Sequence, residues 1–474
     1  MHFLGAEART ITGATVAGVC IQVVRAILRC WLRNKTTKER VMESTTKKEE
    51  ENTEDVDRIN SLPDSVLCHI LSFLPTRTSI MTSLVCRRWR HLWKDVQVLN
   101  LCDGLVPFNS FAIFVNSVFT LRNCLNIRKL CLTCAYSCVD FLSYNSIPTW
   151  VRASIGPHLE ELYLSLYSYD GHEFVVPRTL FTCNNLVSLS LCKGINIPNL
   201  ALVHLPSLKV LKLDIDYVDS IETLLHGCPV LETIDLSFSS ERFTKLRFPP
   251  SLKRLNFVVQ NAVGTYLEFD TACLNYLSIT HIFSFFACSF GDLHRVVEAK
   301  LDVYVTDYFY NMLLKLLQAL SGTNHLVLGL STTKGLLRAP AFNFPKFSYL
   351  LKLELILPYF HLSFMVNILE KCHMLRLLTI LNQNEQELSN LQSWGQPPIE
   401  LSSHVLNLAS IHYKGYQGFV DEQDFVAYVL RRCIILETII ISPDNLLSTR
   451  RKYKILKKLS ELSRSSSMCE LKFD

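Results

Sequence analysis

The residue types that most often carry chemistry are present in this chain, but their spacing does not assemble a reactive site. Cys131, Cys134 and Cys138 form a CxxCxxxC string. A structural zinc ion takes four thiolate or imidazole ligands, and no second CxxC completes the set, so small core residues on a strand (RKLCLTC) explain these cysteines better. His172 and Glu173 open as an HExxH helix would, yet Val176 and Pro177 follow, and no zinc helix can form there. None of the sixteen glycines lies in a GxSxG, GxGxxG or GxxxxGK pattern, so neither a nucleophile elbow nor a phosphate cradle is visible. The basic run Arg450, Arg451, Lys452, Lys454, Lys457 and Lys458 could touch phosphate or an acidic partner, although a solvated helix face is the simpler reading. The expectation is a protein without enzymatic activity, with no metal and no cofactor.

The elements that would position any site follow from composition and periodicity. The chain has 474 residues, 49% of them apolar and only 19% charged, with a net charge of +5 and a mean hydropathy of +0.20. So apolar a sequence stays in solution when its hydrophobic positions turn inward systematically, as they do in a repeat solenoid. The small, dispersed positive charge argues against a nucleic-acid groove, which needs lysine and arginine concentrated on one face. The 17 cysteines are scattered through apolar runs without dense pairing, which fits reduced thiols in the cytoplasm or nucleus. Ile11 to Leu32 carries Gln22, Arg25 and Arg29 among its apolar residues and makes a poor membrane span. A transit segment, a surface amphipath, or a mature product starting near Met42 all remain open for residues 1–41. Thr36 to Asp57 is polar and charged and reads as a linker, so residues 1–56 are expected to form a disordered extension.

RINSLPDSVLCHILSFLPTRTSIMTSLVCRRWRHLWKDV follows, with helical periodicity. Pro63 suits a first helical turn and Asp64 complements the dipole there, while Val66, Leu67, Ile70, Leu71 and Leu74 recur at helical steps until Pro75 stops them. A second helix is expected after Thr78 or Ser79, carrying Ile80, Met81, Leu84 and Val85, with Arg87, Arg88 and Arg90 alternating with Trp89 and Trp93.

Beyond Leu101 short LxxLxL strings recur: HLEELYLSL, NLVSLSL, SLKVLKL, VLETIDL, SLKRLNF, CLNYLSI, YLLKLEL and MLRLLTI. The first six are 21 to 27 residues apart, which is leucine-rich-repeat spacing. In a short strand alternate residues point the same way, so the leucines enter the core and the residues between them face out. Stacking joins the strands into a parallel sheet and buries a continuous leucine ladder, worth about 1.5–3 kcal/mol per leucine before entropy. Phe283 to Leu330 is hard to phase, and irregular repeats are expected there. SIETLLHGCPVLE and HLSFMVNILEKCHMLR show helical spacing before a strand, so each turn should alternate helix and strand. SIHYKGY, DEQDFVAYVLRRC, LETIIIS, a basic helix from Thr449 to Ser463 and MCELKF continue the style to the end.

On these residues, LPDSVL, HILSFLP and RRWRHLW in order, Arg58 to Trp93 closely resembles the F-box of plant proteins. The repeats, GCPVLE and the closing YKGYQG, LETIII and CELKF resemble the plant F-box/leucine-rich-repeat/FBD family. The resemblance implies an α/β chain: a three-helix F-box at 57–97, a leucine-rich-repeat solenoid with a parallel sheet and outer helices at 98–395, and an FBD-like segment at 396–474. It further implies that the F-box docks on a Skp-type adaptor, which joins a cullin and a RING protein, while the repeats bind a protein target for ubiquitination. Neither nucleic acid nor membrane is an expected partner. Leu62, Pro63, Ile70, Leu71, Leu74, Pro75, Leu84, Val85, Trp89 and Trp93 are then the adaptor-facing or domain-core candidates. Outward strand positions Glu161, Tyr163, Ser188, Ser190, Lys209, Lys212, Glu232, Asp235, Lys253 and Asn256 are candidates for the target-binding face. Met81-Thr82 and Val85-Cys86 depart mildly from the family pattern, which keeps open a ligase-independent interaction scaffold or ligand sensor.

Overall fold

The computed structural model describes residues 59–104, 106–122, 126–134, 146–166, 173–215, 221–239, 245–260, 263–269, 271–280, 285–290, 293–304, 310–339, 343–385 and 407–474. The expected N-terminal extension, its candidate targeting segment, Cys138 and His172 lie outside these residues. The chain divides into two compact units, Met1–Pro198 and Asn199–Asp474.

In the first unit, α1 (Asp64–Ser72) starts after Pro63 and α2 (Thr76–Met81) after Pro75. Both prolines have the fixed φ, near −59° and −54°, and an extended ψ that leads a chain into a helix. The second helix therefore starts earlier than Thr78 or Ser79 and is only six residues long. Ser79 caps something else: its hydroxyl donates at 2.9 Å to the carbonyl of Leu71 in the last turn of α1, which also accepts from the Leu74 N–H. Short 3-10 turns at Thr82–Leu84 and Leu92–Asp95 complete the segment, so the third helical element is a single tight turn.

The strands of this unit are β1 (Val98–Cys102), β2 (Lys129–Cys134), β3 (Glu161–Leu166), β4 (Phe174–Val175), β5 (Ser188–Cys192) and β6 (Ile195–Asn196). β1, β2, β3 and β5 are parallel neighbours in that order, and β4 pairs with β6. Their register aligns Leu99, Leu130, Leu162 and Leu189 in one inward column and Leu101, Leu132, Leu164 and Leu191 in a second. All eight are buried. Helices α3 (Phe108–Leu121) and α4 (Ser146–Ser154) pack through Phe108, Phe111 and Trp150, with ring centroids 6.0 to 6.2 Å apart.

An edge strand presents unpaired backbone donors. On β1 the Asn100 N–H donates to the Thr76 hydroxyl of α2 at 2.8 Å. The N-terminal helices thus cap the repeat ladder, and Arg77 of α2 lies 5.4 Å from the ring centroid of Phe114 on α3.

The second unit continues the pattern through β7 (Val210–Asp214), α5 (Ile221–His226), β8 (Thr233–Ser239), β9 (Lys245–Arg247), β10 (Arg254–Gln260), β11 (Val263–Phe269), β12 (Tyr276–Thr280), β13 (Phe285–Phe290) and β14 (Glu298–Asp302). It goes on through α6 (Tyr310–Ala319), β15 (His325–Leu328), α7 (Leu330–Arg338), β16 (Lys352–Leu357), α8 (Leu362–Lys371) and β17 (Leu377–Asn382). It closes with β18 (Ser410–Tyr416), α9 (Val420–Arg432), β19 (Thr438–Pro443), α10 (Thr449–Ser460) and β20 (Glu470–Phe473). The parallel order is β7-β8-β10-β12-β14-β15-β16-β17-β18-β19-β20.

A helix and a strand do not alternate in every turn. Between β8 and β14 the return segments are β9, β11 and β13, which form their own parallel three-stranded sheet. Within this stretch repeat length goes with the change. Ile234, Leu255, Leu277 and Ala299 follow one another at 21 or 22 residues, whereas Ala299, Leu326, Leu353 and Leu378 are 25 to 27 apart. A strand advances about 3.3 Å per residue and a helix 1.5 Å, so a short turn can span the return path only in extended form.

The stretch that the sequence could not phase is regular in the sheet. Ala299 and Leu301 of β14 align with Leu326 and Leu328 of β15. Their strings, VVEAKL and TNHLVL, hide the repeat because alanine or threonine occupies a position that leucine fills elsewhere.

At the C-terminal end a fully buried carboxylate, Glu422 of α9, fixes the turn from β18 into α9. It accepts from the Tyr413 hydroxyl at 2.7 Å, from the Gln417 and Phe419 backbone N–H groups at 3.0 Å and from the Asn382 amide at 3.3 Å. Gly415, at φ +79°, passes so close to the Asn382 carbonyl that a Cβ there would lie 2.0 Å from its oxygen.

Candidate protein-docking surfaces

Two stripes, one residue out of step, run along α1. Leu67, Leu71 and Leu74, at i, i+4 and i+7, are buried and form a core with Trp89, Leu92 and Val96. Val66, Ile70 and Phe73 have the same spacing one position earlier; Val66 and Phe73 are exposed and Ile70 only partly covered. A one-residue offset turns a side chain about 100° around a helix, enough to take it from the core to its border. The end of α2 and its following turn expose Met81 and Leu84 even more, at 60% and 74%.

The structure therefore sorts the ten candidates by role. Leu71, Leu74, Trp89 and Trp93 are core, the tryptophans only 2% and 8% exposed. Leu62, Ile70 and Val85 are half-buried, with Leu62 and Ile70 leaning on that core. Pro63, Pro75 and Leu84 are exposed. Val66, Phe73 and Met81 join the exposed set; the doubled i, i+4, i+7 pattern in VLCHILSFL is the signal that could have identified the first two.

A polar latch holds the chain entering α1. The Trp89 indole N–H donates to the Asn60 side-chain oxygen at 2.7 Å, which satisfies the polar end of a buried ring. Arg88 donates to the carbonyls of Asn60 and Leu62 and pairs with Asp64 at 2.6 Å. As an exposed ion pair the last contact adds little stability; its effect is to fix where Leu62 and Pro63 sit. The Cys68 thiol is pushed up first by burial and then by Asp95 and Asp64, which keeps it a neutral core-side group.

Each unit also has an outward strand face. In the first unit Glu161 takes an ion pair from Lys129 at 2.5 Å, and Tyr163 and Ser188 stand half-exposed, while Ser190 is nearly covered. In the second unit Lys212 is exposed, and Asn256 donates to Asp235 at 2.9 Å. Lys209, Glu232 and Lys253 lie one residue ahead of their strands, on the leading edge, where Lys253 and Glu232 pair at 3.1 Å.

Later strands add a charged array built by the same register. The Arg254 guanidinium stacks 4.0 Å from the Tyr276 ring centroid, and Lys300 lies 5.8 Å from the same ring. Lys300 pairs with Glu298, and His325 bridges Glu298 at 3.7 Å and Glu354 at 3.1 Å, while Lys352 holds Glu354 at 2.6 Å. Hydrogen bonding from His325, with further help from Lys352, lowers the Glu354 carboxyl to about 2 despite burial. Glu298, Lys300 and His325 escaped sequence reasoning because they lie in the stretch whose phase alanine and threonine conceal.

Cys131 faces outward from β2 while Cys134, three residues on, is buried, so the two point to opposite faces of one strand. They cannot ligate one ion. Burial pushes both thiols up, and Cys228 and Cys433 are each raised to about 12 by burial foremost.

Comparison with known proteins covers the helical segment and part of the repeats. The F-box domain family matches residues 59–101, and the LRR repeats of the FBD-associated F-box protein At5g56370 family match residues 147–299. The chain is 30% identical over 436 residues to the F-box/FBD/LRR-repeat protein At5g56420 of Arabidopsis thaliana, covering 88% of this chain and 99% of that relative. This chain belongs to the F-box/FBD/LRR-repeat family. It is also 28% identical over 445 residues to the FBD-associated F-box protein At5g56370 of Arabidopsis thaliana, covering 88% of this chain and 100% of the relative. In this F-box/FBD/LRR-repeat protein the F-box match ends inside β1, so the family unit includes the strand whose edge Thr76 caps.

Proposed function

We propose that this protein is the target-recognition subunit of a Skp-cullin-F-box ubiquitin ligase. Its F-box binds a Skp-type adaptor, and through it a cullin and a RING protein, while the strand face binds a protein target. The observation that carries the reading is the exposure of Val66, Phe73, Met81 and Leu84 on a small helical segment whose tryptophans are already used internally. Apolar side chains of this size left uncovered on so small a unit mark a docking surface. The mixed charged and aromatic strand face supports a protein as the target, since tyrosine and arginine held in fixed positions are typical binding anchors.

The chain's own residues perform no bond-making step in this reading. Their contribution is to hold the target beside the ubiquitin-charged conjugating enzyme, so that transfer proceeds at a high effective concentration. The hydrogen bond that the Asn100 N–H donates to Thr76 and the approach of Arg77 to the Phe114 ring tie the F-box to the first repeats of its unit, which limits slack between the adaptor and those repeats. Free thiols throughout the described residues support residence in the reducing cytoplasm or nucleus.

The test is co-purification of the full chain with a Skp-type adaptor. Leu62 and Pro63, both changed to alanine, lose the contact with the core and the fixed entry to α1. Adaptor binding should be lost, and undiminished co-purification would refute the assignment.

A further inference from the structure

The proposed function leaves unused one corner of the second unit, where α10 meets the turn that leads into α9. α10 carries Arg450, Arg451, Lys452, Lys454, Lys457 and Lys458 and no acidic residue. Ile455 and Leu459 turn inward. Arg450, Lys454 and Lys457, at i, i+4 and i+7, therefore form a stripe on the opposite side with Tyr453 next to it, and all four are exposed. Arg450, Arg451 and Lys452 also crowd the end of the helix where its dipole disfavours cations, with no acidic residue in the first turn to offset them.

Apolar side chains border the stripe. Phe419, Val420 and Tyr453 are more than half exposed, and Leu446, in the loop before α10, is 92% exposed. Two contacts bring them together: the Arg451 guanidinium, on the flank of α10 between the stripe and the inward Ile455, lies 5.7 Å from the Phe419 ring centroid, and Asp444, which accepts from the Leu446 N–H and the Gln417 amide, holds the Leu446 loop beside the same turn. The Asp444 carboxylate beside Leu446 is occupied, accepting from the Leu446 N–H, Asn384 and Gln417.

We propose that this surface binds an acidic segment of a partner protein that carries apolar residues at one end. The apolar end would meet Phe419 and Leu446, and its carboxylates would follow Arg450, Lys454 and Lys457. The stripe extends about 10 Å along the helix, the length of three or four extended residues. A narrow peptide fits the charge pattern better than a broad anionic surface does. Glu461 follows α10 directly and Asp421 and Asp424 on α9 are exposed carboxylates, so the positive charge is confined to a narrow stripe, which a single extended segment matches better than a flat anionic surface does. The surface shares no residue with the F-box patch, so it stands or fails independently of adaptor binding.

The experiment measures fluorescence anisotropy of a labelled peptide, Leu-Phe followed by a run of glutamate and aspartate, against the full-length protein. A peptide with lysine at every acidic position and phosphatidylcholine vesicles with about a third phosphatidylserine are the comparison probes. The acidic peptide should bind, and K454E/K457E, which alters only solvent-facing side chains, should weaken it about tenfold with an unchanged thermal melt. L446S should weaken it several-fold with little change in salt dependence. Equal binding of the lysine peptide, equal binding by K454E/K457E, or binding of the vesicles without the acidic peptide would overturn the proposal. Adaptor co-purification of the same variants should stay at the wild-type level, which separates this surface from the ligase reading.

Discussion

Replacing Met81 and Leu84 together by serine tests the division between core and docking surface in the F-box. Leu84 is 74% and Met81 60% exposed in the free chain, so most of each side chain is still available for burial by a partner. Full burial of such a side chain is worth about 1.5–3 kcal/mol, which leaves roughly 1–2 kcal/mol for Leu84 and somewhat less for Met81. The pair should therefore contribute about 2–3.5 kcal/mol, a weakening of roughly 30- to 300-fold. The folded chain loses little, because neither side chain fills its core. Trp89→Ala is the contrasting variant: removing a ring that is buried costs about 3–5 kcal/mol of stability and disrupts the segment before binding is considered. Titration calorimetry with a purified Skp-type adaptor reads the first effect, and circular dichroism melting confirms that M81S/L84S remains folded. Adaptor affinity within about twofold of wild type, with the melt unchanged, would refute the docking role of these residues.

Asn60→Ala removes the acceptor of the buried Trp89 indole and should destabilise the F-box by about 1–3 kcal/mol, read by denaturant unfolding and a shift in tryptophan emission. Thr76→Val keeps the shape but strands the Asn100 N–H at the edge of β1, and should cost about 1–2 kcal/mol with faster amide exchange at Asn100. Burial raises the Glu422 carboxyl above its ordinary value, although hydrogen bonds from Tyr413, Phe419 and Gln417 oppose the shift. The folded chain thus holds that proton more tightly than the unfolded chain. Its contribution to stability is fully present below the ordinary glutamate range and declines as pH rises through the raised folded value. Glu422→Gln should flatten that decline in thermal melts across pH, while the opposite trend from the lowered Glu354, lost as pH falls toward about 2, should persist.

Leucine spacing read from the sequence locates strands where outside packing has little choice. A string such as HLEELYLSL or SLKRLNF can bury its leucines only by alternation, and β3 and β10 lie where the strings place them. The basic run likewise becomes α10, and its inward Ile455 and Leu459 follow from helical spacing. In the F-box the apolar pattern announces helices, but the start of α2 moves to Thr76 because Ser79 serves the end of α1. That bond joins residues eight apart, and nothing in a periodicity measured on one helix contains it.

The sequence by itself determined the inward and outward alternation of each repeat, the helical character of the segment after Pro63, and the resemblance that names the family. Those properties are local or periodic, because a strand fixes side-chain direction every two residues and a helix every three or four. Only the tertiary structure decided which of two offset stripes on α1 is covered, which return segments are strands, and that His325 would meet both Glu298 and Glu354. Each of these depends on which surfaces stack and how much chain is left to connect them. The two stripes along α1 are almost equally apolar, and it is the position of Trp89 and Leu92 against Leu67 and Leu71 that leaves Val66 and Phe73 to the solvent.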